Sequence, residues 1–413
     1  QNSLGSNTTA SNNTAIGYVA LVANTTGASN VAVGASSLDA NTEGSNNTGV
    51  GFNALTSNTT AAGNTAVGYN SLAANTTGAS NTAVGSGALD ASTTGASNVA
   101  VGLNSMTSNT NGYENTAVGK DSLASCTEGF ENTAIGHNCG AAITTGDNNT
   151  FVGNAAGQAN TTAGANTAVG NAALASNTTG ATNNAFGANA LDACTTGARN
   201  NGFGYRALAS ATTGYYNTAI GHQAGDDITD GFKNICIGHD ADISAGNNQH
   251  TIVIGESITA ASNDFSFGKA SNVVTNDFDT DANWSRSSDE RLKKNITNQT
   301  LGLDFINDLR TVKYNWKASN ELDSTDAELS HLYKEDAADN EMNTSAVMHN
   351  FIAQEVKAAL DTAGVSEFGG WKEDQYGVQQ VSREMFVIPL VKAVQELSTK
   401  LDAALARITT LEG

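Results

Sequence analysis

A glycine recurs every 17 residues without a missed step, at Gly17, Gly34, Gly51, Gly68, Gly85, Gly102, Gly119, Gly136, Gly153, Gly170, Gly187, Gly204, Gly221, Gly238 and Gly255. A second Gly follows in most repeats (Gly27, Gly44, Gly78, Gly95), then an Asn (Asn30, Asn47, Asn64), and a Leu lies just past the first Gly (Leu21, Leu38, Leu55, Leu72). No globular core demands that regularity, but a solenoid does. Seventeen residues are too few for a helical hairpin, and Gly, Asn and Thr oppose helix. Each repeat therefore predicts one β-coil, with a short strand at segments such as Thr65-Ala66-Val67 and a corner at the Gly.

Stacked coils at about 4.8 Å make a rod on the order of 70 Å long. Alternation puts Val67 and its equivalents on one strand face and Ala66, Ala83, Ala100 or Gly49 on the other. We expect the Val and Leu to build a thin core and the Ala/Gly face to lie against a second chain. That predicts a parallel homotrimer, with a monomeric solenoid as the alternative. The pattern loosens from about residue 140, where Gly140, Gly157 and Gly225 replace Leu and Phe151, Phe186, Phe203 and Phe232 enter. It ends near 268, and an acidic stretch through Asp281 reads as a connector.

Composition excludes several classes. The net charge is −21, with 19 Lys+Arg against 40 Asp+Glu, so no basic surface is available for nucleic acid. No apolar run is long enough to insert into a membrane. Two parts share the charge, −14 up to Asp281 and −7 after it. The second part is denser in charge and poor in Gly, and reads as a separate α/β or α+β domain. Its expected core is Leu303, Phe305, Ile306, Leu309, Val312, Tyr314, Trp316, Phe351, Ile352 and Val356. At the end, Leu390, Val394, Leu397, Leu401, Ala404, Ile408 and Leu411 keep the a/d spacing of a coiled coil, just after the single Pro, Pro389. Three heptads are marginal alone and make sense as a trimer clamp.

Ser288-Asp289-Glu290-Arg291-Leu292-Lys293-Lys294-Asn295-Ile296 resembles the opening motif of the intramolecular chaperone at the C-terminus of phage tailspikes and tail fibres, the endosialidase type (peptidase family S74). Leu309-Arg310-x-Val312-x-Tyr314-x-Trp316-Lys317 and Phe351-Ile352-Ala353-Gln354-Glu355-Val356 are similar to its later blocks, and Ile388 to Leu411 to its terminal helix. Asn350 stands where the family usually has Gly. The resemblance implies a domain that trimerises, helps an upstream β-fibre to fold, and then cuts itself off. The resemblance further implies that the scissile bond is Ser287–Ser288, with Ser288 as the nucleophile and Lys293 as the general base. Arg291 and Lys294 are candidates for lowering the Lys293 pKa. Read from residues alone, Ser287 and Glu290 also make a helix capping box. Residues five apart are out of phase on a helix, so the helix must begin after Ser288, or a neighbouring subunit must complete the dyad.

The resulting expectation is a mostly β protein, a trimeric parallel β-solenoid of 17-residue repeats (1–268), a connector and fibre tip (269–287), and a small α/β chaperone domain (288–413) ending in a coiled coil (387–412). Its function is expected to be host attachment as part of a phage tail fibre. Partners are a second and third copy, a host receptor (glycan or protein), and other tail proteins through a region preceding Gln1. The location is the virion, with the chaperone released in the host cytoplasm. Phe265, Phe267, Phe278 and Trp284 are the candidate receptor-binding cluster, with capping of the core as their alternative. A bacterial trimeric adhesin head and a polysaccharide-depolymerising tailspike are the competing functions. No cofactor or metal is expected. His137, His222 and His239 share one register, and Cys126, Cys139, Cys194 and Cys236 read as free buried thiols.

Overall fold

The computed structural model describes residues 2–270, 272–277, 285–286, 290–335, 344–345 and 347–412. They fall into two compact units, Gln1–Ser288 and Asp289–Gly413.

In the first unit each repeat is one turn of a parallel β-solenoid. A three-residue strand recurs once per turn, from Thr14–Ile16 and Val31–Val33 to Ile235–Ile237. Thr65, Ala66 and Val67 lie opposite Thr82, Ala83 and Val84, and the same 17-residue offset holds from turn to turn. The periodic Gly is required by both conformation and space. Gly68 has φ +143, and a Cβ there would sit 2.4 Å from the Gly85 carbonyl oxygen on the next turn.

The strand faces are opposite to the expectation. Ala66, Ala83 and Ala100 are fully buried and belong to the core with Leu72 and Leu89, whereas Val67, Ile135 and Ile16 are 36%, 41% and 62% exposed. The cause is width. A Cβ built on Gly49 would already lie 3.4 Å from Leu38 Cγ, so the Leu fills the interior and leaves the strand side room for little more than a methyl. The argument for Ala against a second chain therefore falls. The Leu itself sits at positive φ (Leu72, +52). Its burial contributes roughly 1.5–3 kcal/mol, against about 1–2 kcal/mol for the left-handed backbone.

Where Gly140 and Gly157 replace that Leu, Phe151 points inward from the strand and fills the gap. A Cβ on Gly157 would meet its ring at 2.4 Å. Phe186 and Phe203 face outward and stack at 5.0 Å.

Two buried Asn columns close the turns. In one, Asn64 Nδ2 donates to the Gly78 carbonyl (2.9 Å), and the Asn81 backbone N–H donates to Asn64 Oδ1 (2.9 Å). In the other, Asn58 Nδ2 donates to Asn41 Oδ1 (2.8 Å) and to the Ala61 carbonyl (3.1 Å). The last turn shortens, Ile252 lying opposite Phe265. The stretch read as a connector then carries a strand, Asn272–Asp277, antiparallel to Asp264–Lys269. It covers the sheet edge that the stack would otherwise leave open.

The second unit packs α1 (Leu303–Asn307), α2 (Ala353–Thr362) and the start of α3 (Val387–Glu412) around Leu301, Phe305, Val356, Ala359, Leu360 and Phe386. Two antiparallel pairs complete it, Thr311–Tyr314 with Met348–Phe351 and Trp371–Glu373 with Gln379–Val381. Tyr314 and Trp316, expected in the core, instead line a groove of about 1020 Å³ with Leu329 and Val381, and Trp316 is 42% exposed. Alternation along an edge strand assigns a face but not what covers it.

Candidate functional sites

The opening motif of the second unit begins with a short 3-10 turn, Glu290–Leu292, closed by the Lys293 backbone N–H donating to the Glu290 carbonyl (2.9 Å). The turn starts at Glu290 and is a single turn, so the capping-box helix expected from Ser287 does not extend through it. Lys293 is exposed. Ser287 and Ser288, the expected cleavage pair, lie outside the described residues.

The later motif blocks are brought together by strand pairing. Thr311 lies opposite Phe351, which sets Arg310 beside Glu355; Arg310 Nε donates to both carboxylate oxygens (3.2 and 3.1 Å). This fork lowers the Glu355 pKa and raises that of Arg310. The motif spacing contains both residues, but only the register of the strand pair reveals the contact. Phe351 packs with Phe305 and Phe368 around Phe386, at 4.8, 6.2 and 5.2 Å. From α3, Glu396 accepts the Leu303 backbone N–H at the start of α1 (2.8 Å), which holds its carboxyl below the usual range. Beyond that contact the α3 seam is bare: Leu390, Val394, Leu397, Leu401 and Ile408 are about half exposed and Leu411 is 84% exposed.

Residues 288–365 match the family model of the chaperone of endosialidase, Peptidase S74. The matched span takes in the opening motif, the Thr311–Tyr314/Met348–Phe351 pair and α2. It stops before the Trp371–Val381 hairpin and α3, so these lie outside the chaperone match. No curated protein and no solved structure matches the chain.

On the solenoid, Phe265 and Phe267 lie on one outward strand face, with ring centroids 5.8 Å apart, above Ile252 and Ile254. The core position between them is taken by buried Ser266, whose hydroxyl bonds that of Thr275 (2.8 Å). These two rings therefore do not cap the core. Phe278 and Trp284 lie outside the described residues.

His222 stacks on His239 at 5.0 Å and 8°, with Tyr205 on its other side at 5.2 Å and Asp240 Oδ2 3.1 Å from His239 Nδ1. One ligand atom from each of His222, His239 and Asp240 lies within 4.8 Å of the others. Asp226, Asp227 and Asp242 also gather carboxylates, but the Asp242 oxygens already accept the Asp227 and Ile243 backbone N–H groups (2.9 and 2.7 Å). All four cysteines are buried and unbridged; burial pushes the Cys126 thiol up to about 11 and those of Cys139 and Cys194 up to about 12. They are packing residues with little thiolate character.

Proposed function

We propose that this chain is a phage tail-fibre segment for host attachment, whose C-terminal chaperone drives trimeric folding and then releases itself at Ser287–Ser288. The observation that carries the reading is the chaperone match beginning at residue 288, directly after a long parallel β-solenoid. In the proposed step neutral Lys293 takes the Ser288 hydroxyl proton and Oγ attacks the residue 287 carbonyl carbon. The amide nitrogen leaves with a proton, and water then hydrolyses the ester. Because Lys293 is exposed in the single chain, the dyad would be enclosed on assembly, when a neighbouring subunit covers it.

Trimerisation would use the surfaces that one chain leaves apolar. These are the α3 seam and the outward Val/Ile columns of the solenoid, which replace the Ala face. Denaturing electrophoresis after expression tests the cleavage claim. We expect two fragments split near residue 287, absent in Ser288→Ala and Lys293→Ala. A single 42.1 kDa band from the unaltered chain, the same as from Ser288→Ala, would sink it.

A further inference from the structure

Just past each periodic Gly, two neighbouring residues form a pair of columns at one corner of the solenoid. The first residue varies widely in type (Phe52, Ser86, Lys120, Asn154) and is His in three turns, His137, His222 and His239. The second has a left-handed backbone in every turn, with Asn53 at φ +55, Asp121 at +54 and Asp240 at +49. Neighbours on a strand point to opposite faces, but at this left-handed corner the two side chains come side by side. Lys120 and Asp121 show the ordinary result, an ion pair at 3.1 Å. His137 shows another, with its Nδ1 3.2 Å from Asn154 Nδ2 on the next turn.

His222 and His239 are the one place where consecutive turns both carry imidazole in this column. The backbone fixes their spacing: the Asp240 N–H donates to the His222 carbonyl (3.0 Å) and the Ser257 N–H to the His239 carbonyl (2.9 Å). Asp240 presents one carboxylate oxygen to each ring, Oδ2 3.1 Å from His239 Nδ1 and Oδ1 4.0 Å from His222 Nδ1. Among the described residues, two groups of three ligand-bearing side chains come within 4.8 Å of one another, and this is the one that contains imidazole. One turn on, Glu256 continues the column but pairs with Lys269 (3.1 Å), so it is not part of the set.

We propose, against the sequence-based expectation of no metal, that His222, His239 and Asp240 bind one divalent transition-metal ion per chain, with water completing its coordination. Two imidazole nitrogens and a carboxylate suit Zn²⁺, Co²⁺ or Ni²⁺, whereas Ca²⁺ and Mg²⁺ take oxygen ligands. Donor atoms at about 2.0–2.2 Å from a tetrahedral Zn²⁺ lie about 3.3–3.5 Å apart. The two distances to Asp240 bracket that spacing. The parallel rings close on the ion by tilting toward each other, a movement on the order of 1 Å at their nitrogens. Their side chains are 46% and 55% exposed, so the tilt displaces solvent. The ligands sit on two successive turns, and the ion ties those turns together. They lie close to where Gly225 has replaced the core Leu and the last turn shortens. An ion that binds the folded stack and not the unfolded chain stabilises it in proportion to its affinity. Neither the attachment reading nor the cleavage reading is needed for this site.

The test is calorimetric titration of the chelator-treated full chain with ZnCl₂, and with CoCl₂ while visible absorption is recorded. We expect one Zn²⁺ per chain, a d–d absorption from bound Co²⁺, and a higher thermal midpoint of the solenoid with Zn²⁺ than without it. His222→Asn with His239→Asn, and separately Asp240→Asn, should weaken Zn²⁺ binding by about tenfold or more and remove the rise in midpoint. His137→Asn should change neither. Asn already occupies both columns, at Asn154 and Asn53, so the metal-free variants should melt near the parent, which separates lost ligands from lost folding. The proposal is overturned if Zn²⁺ shows no saturable binding, if the variants keep the parent's affinity, or if Mg²⁺ at equal concentration displaces the ion. One Zn²⁺ per three chains would assign it to contact between copies and overturn the proposal equally.

Discussion

A buried asparagine contributes to stability when both ends of its amide are used and costs free energy when they are not. Asn41, Asn58 and Asn75 succeed by bonding one another, but the column breaks at Ser92, too short to reach either neighbour. Asn75 Oδ1 and both amide atoms of Asn109 are left without a hydrogen-bond partner, as are those of Asn160 beside Ile143. Ser92→Asn should restore the bonds above and below and stabilise the solenoid by about 1–2 kcal/mol, at roughly 1 kcal/mol per bond. The room exists, since Asn occupies the same register one turn away on either side. A thermal midpoint that falls instead of rising would refute this account. The Asn columns and the Gly corners were legible in the sequence, because each depends on its own residue type. The orientation of Ala66 and Val67 was not. Alternation separates two faces, and only the volume of the Leu arriving from the other side decides which one is inside.

Among the elements, α3 leaves the most apolar surface exposed in the single chain. Its first three turns are held along one face, with Pro389 and Ala393 buried and Glu396 bonded to the start of α1. The remaining turns expose an unbroken apolar seam. A helix of this length gains little from propensity and depends on packing. Leu397→Asp with Leu401→Asp should therefore leave the Phe386 core folded while converting the proposed trimer to monomer in sedimentation. An unchanged mass would remove α3 from the assembly. The heptad itself could be read directly from spacing. The 3-10 turn at Glu290–Leu292 could not, because Ser287 and Glu290 satisfy a capping rule that says nothing about how far the helix continues. Likewise Arg310 and Glu355 stood in separate motif blocks, and only the pairing of Thr311 with Phe351 made them partners.

Across the molecule, the two units should respond to acid in opposite directions. Asp242 is 5% exposed, and burial raises its pKa to about 7, with the Asp226 and Asp227 carboxylates beside it and Cys236 nearby. The folded solenoid then holds a proton that the unfolded chain has released, so its stability falls as pH rises from about 4 to about 7. The effect is of order ~1–4 kcal/mol at 1.36 kcal/mol per pKa unit. Glu355 and Glu396 are lowered, so the second unit keeps their contribution above their ordinary pKa and loses it as pH falls below that range. Melting followed separately for the two units should show the solenoid unfolding at lower temperature at pH 8 than at pH 5, with Asp242→Asn reducing the difference. If Asp242→Asn leaves the solenoid's pH dependence unchanged, Asp242 is not its source.

The constant offset between turns also has a genetic corollary. Every turn offers the next one the same edge, so deleting or duplicating one whole turn rebuilds the junction it disturbs. A slip of one residue instead sets a side chain against the backbone where Gly68 faces Gly85. A gene encoding such a chain can therefore alter its reach by counting, in increments of about 4.8 Å, while every increment reuses packing already in place.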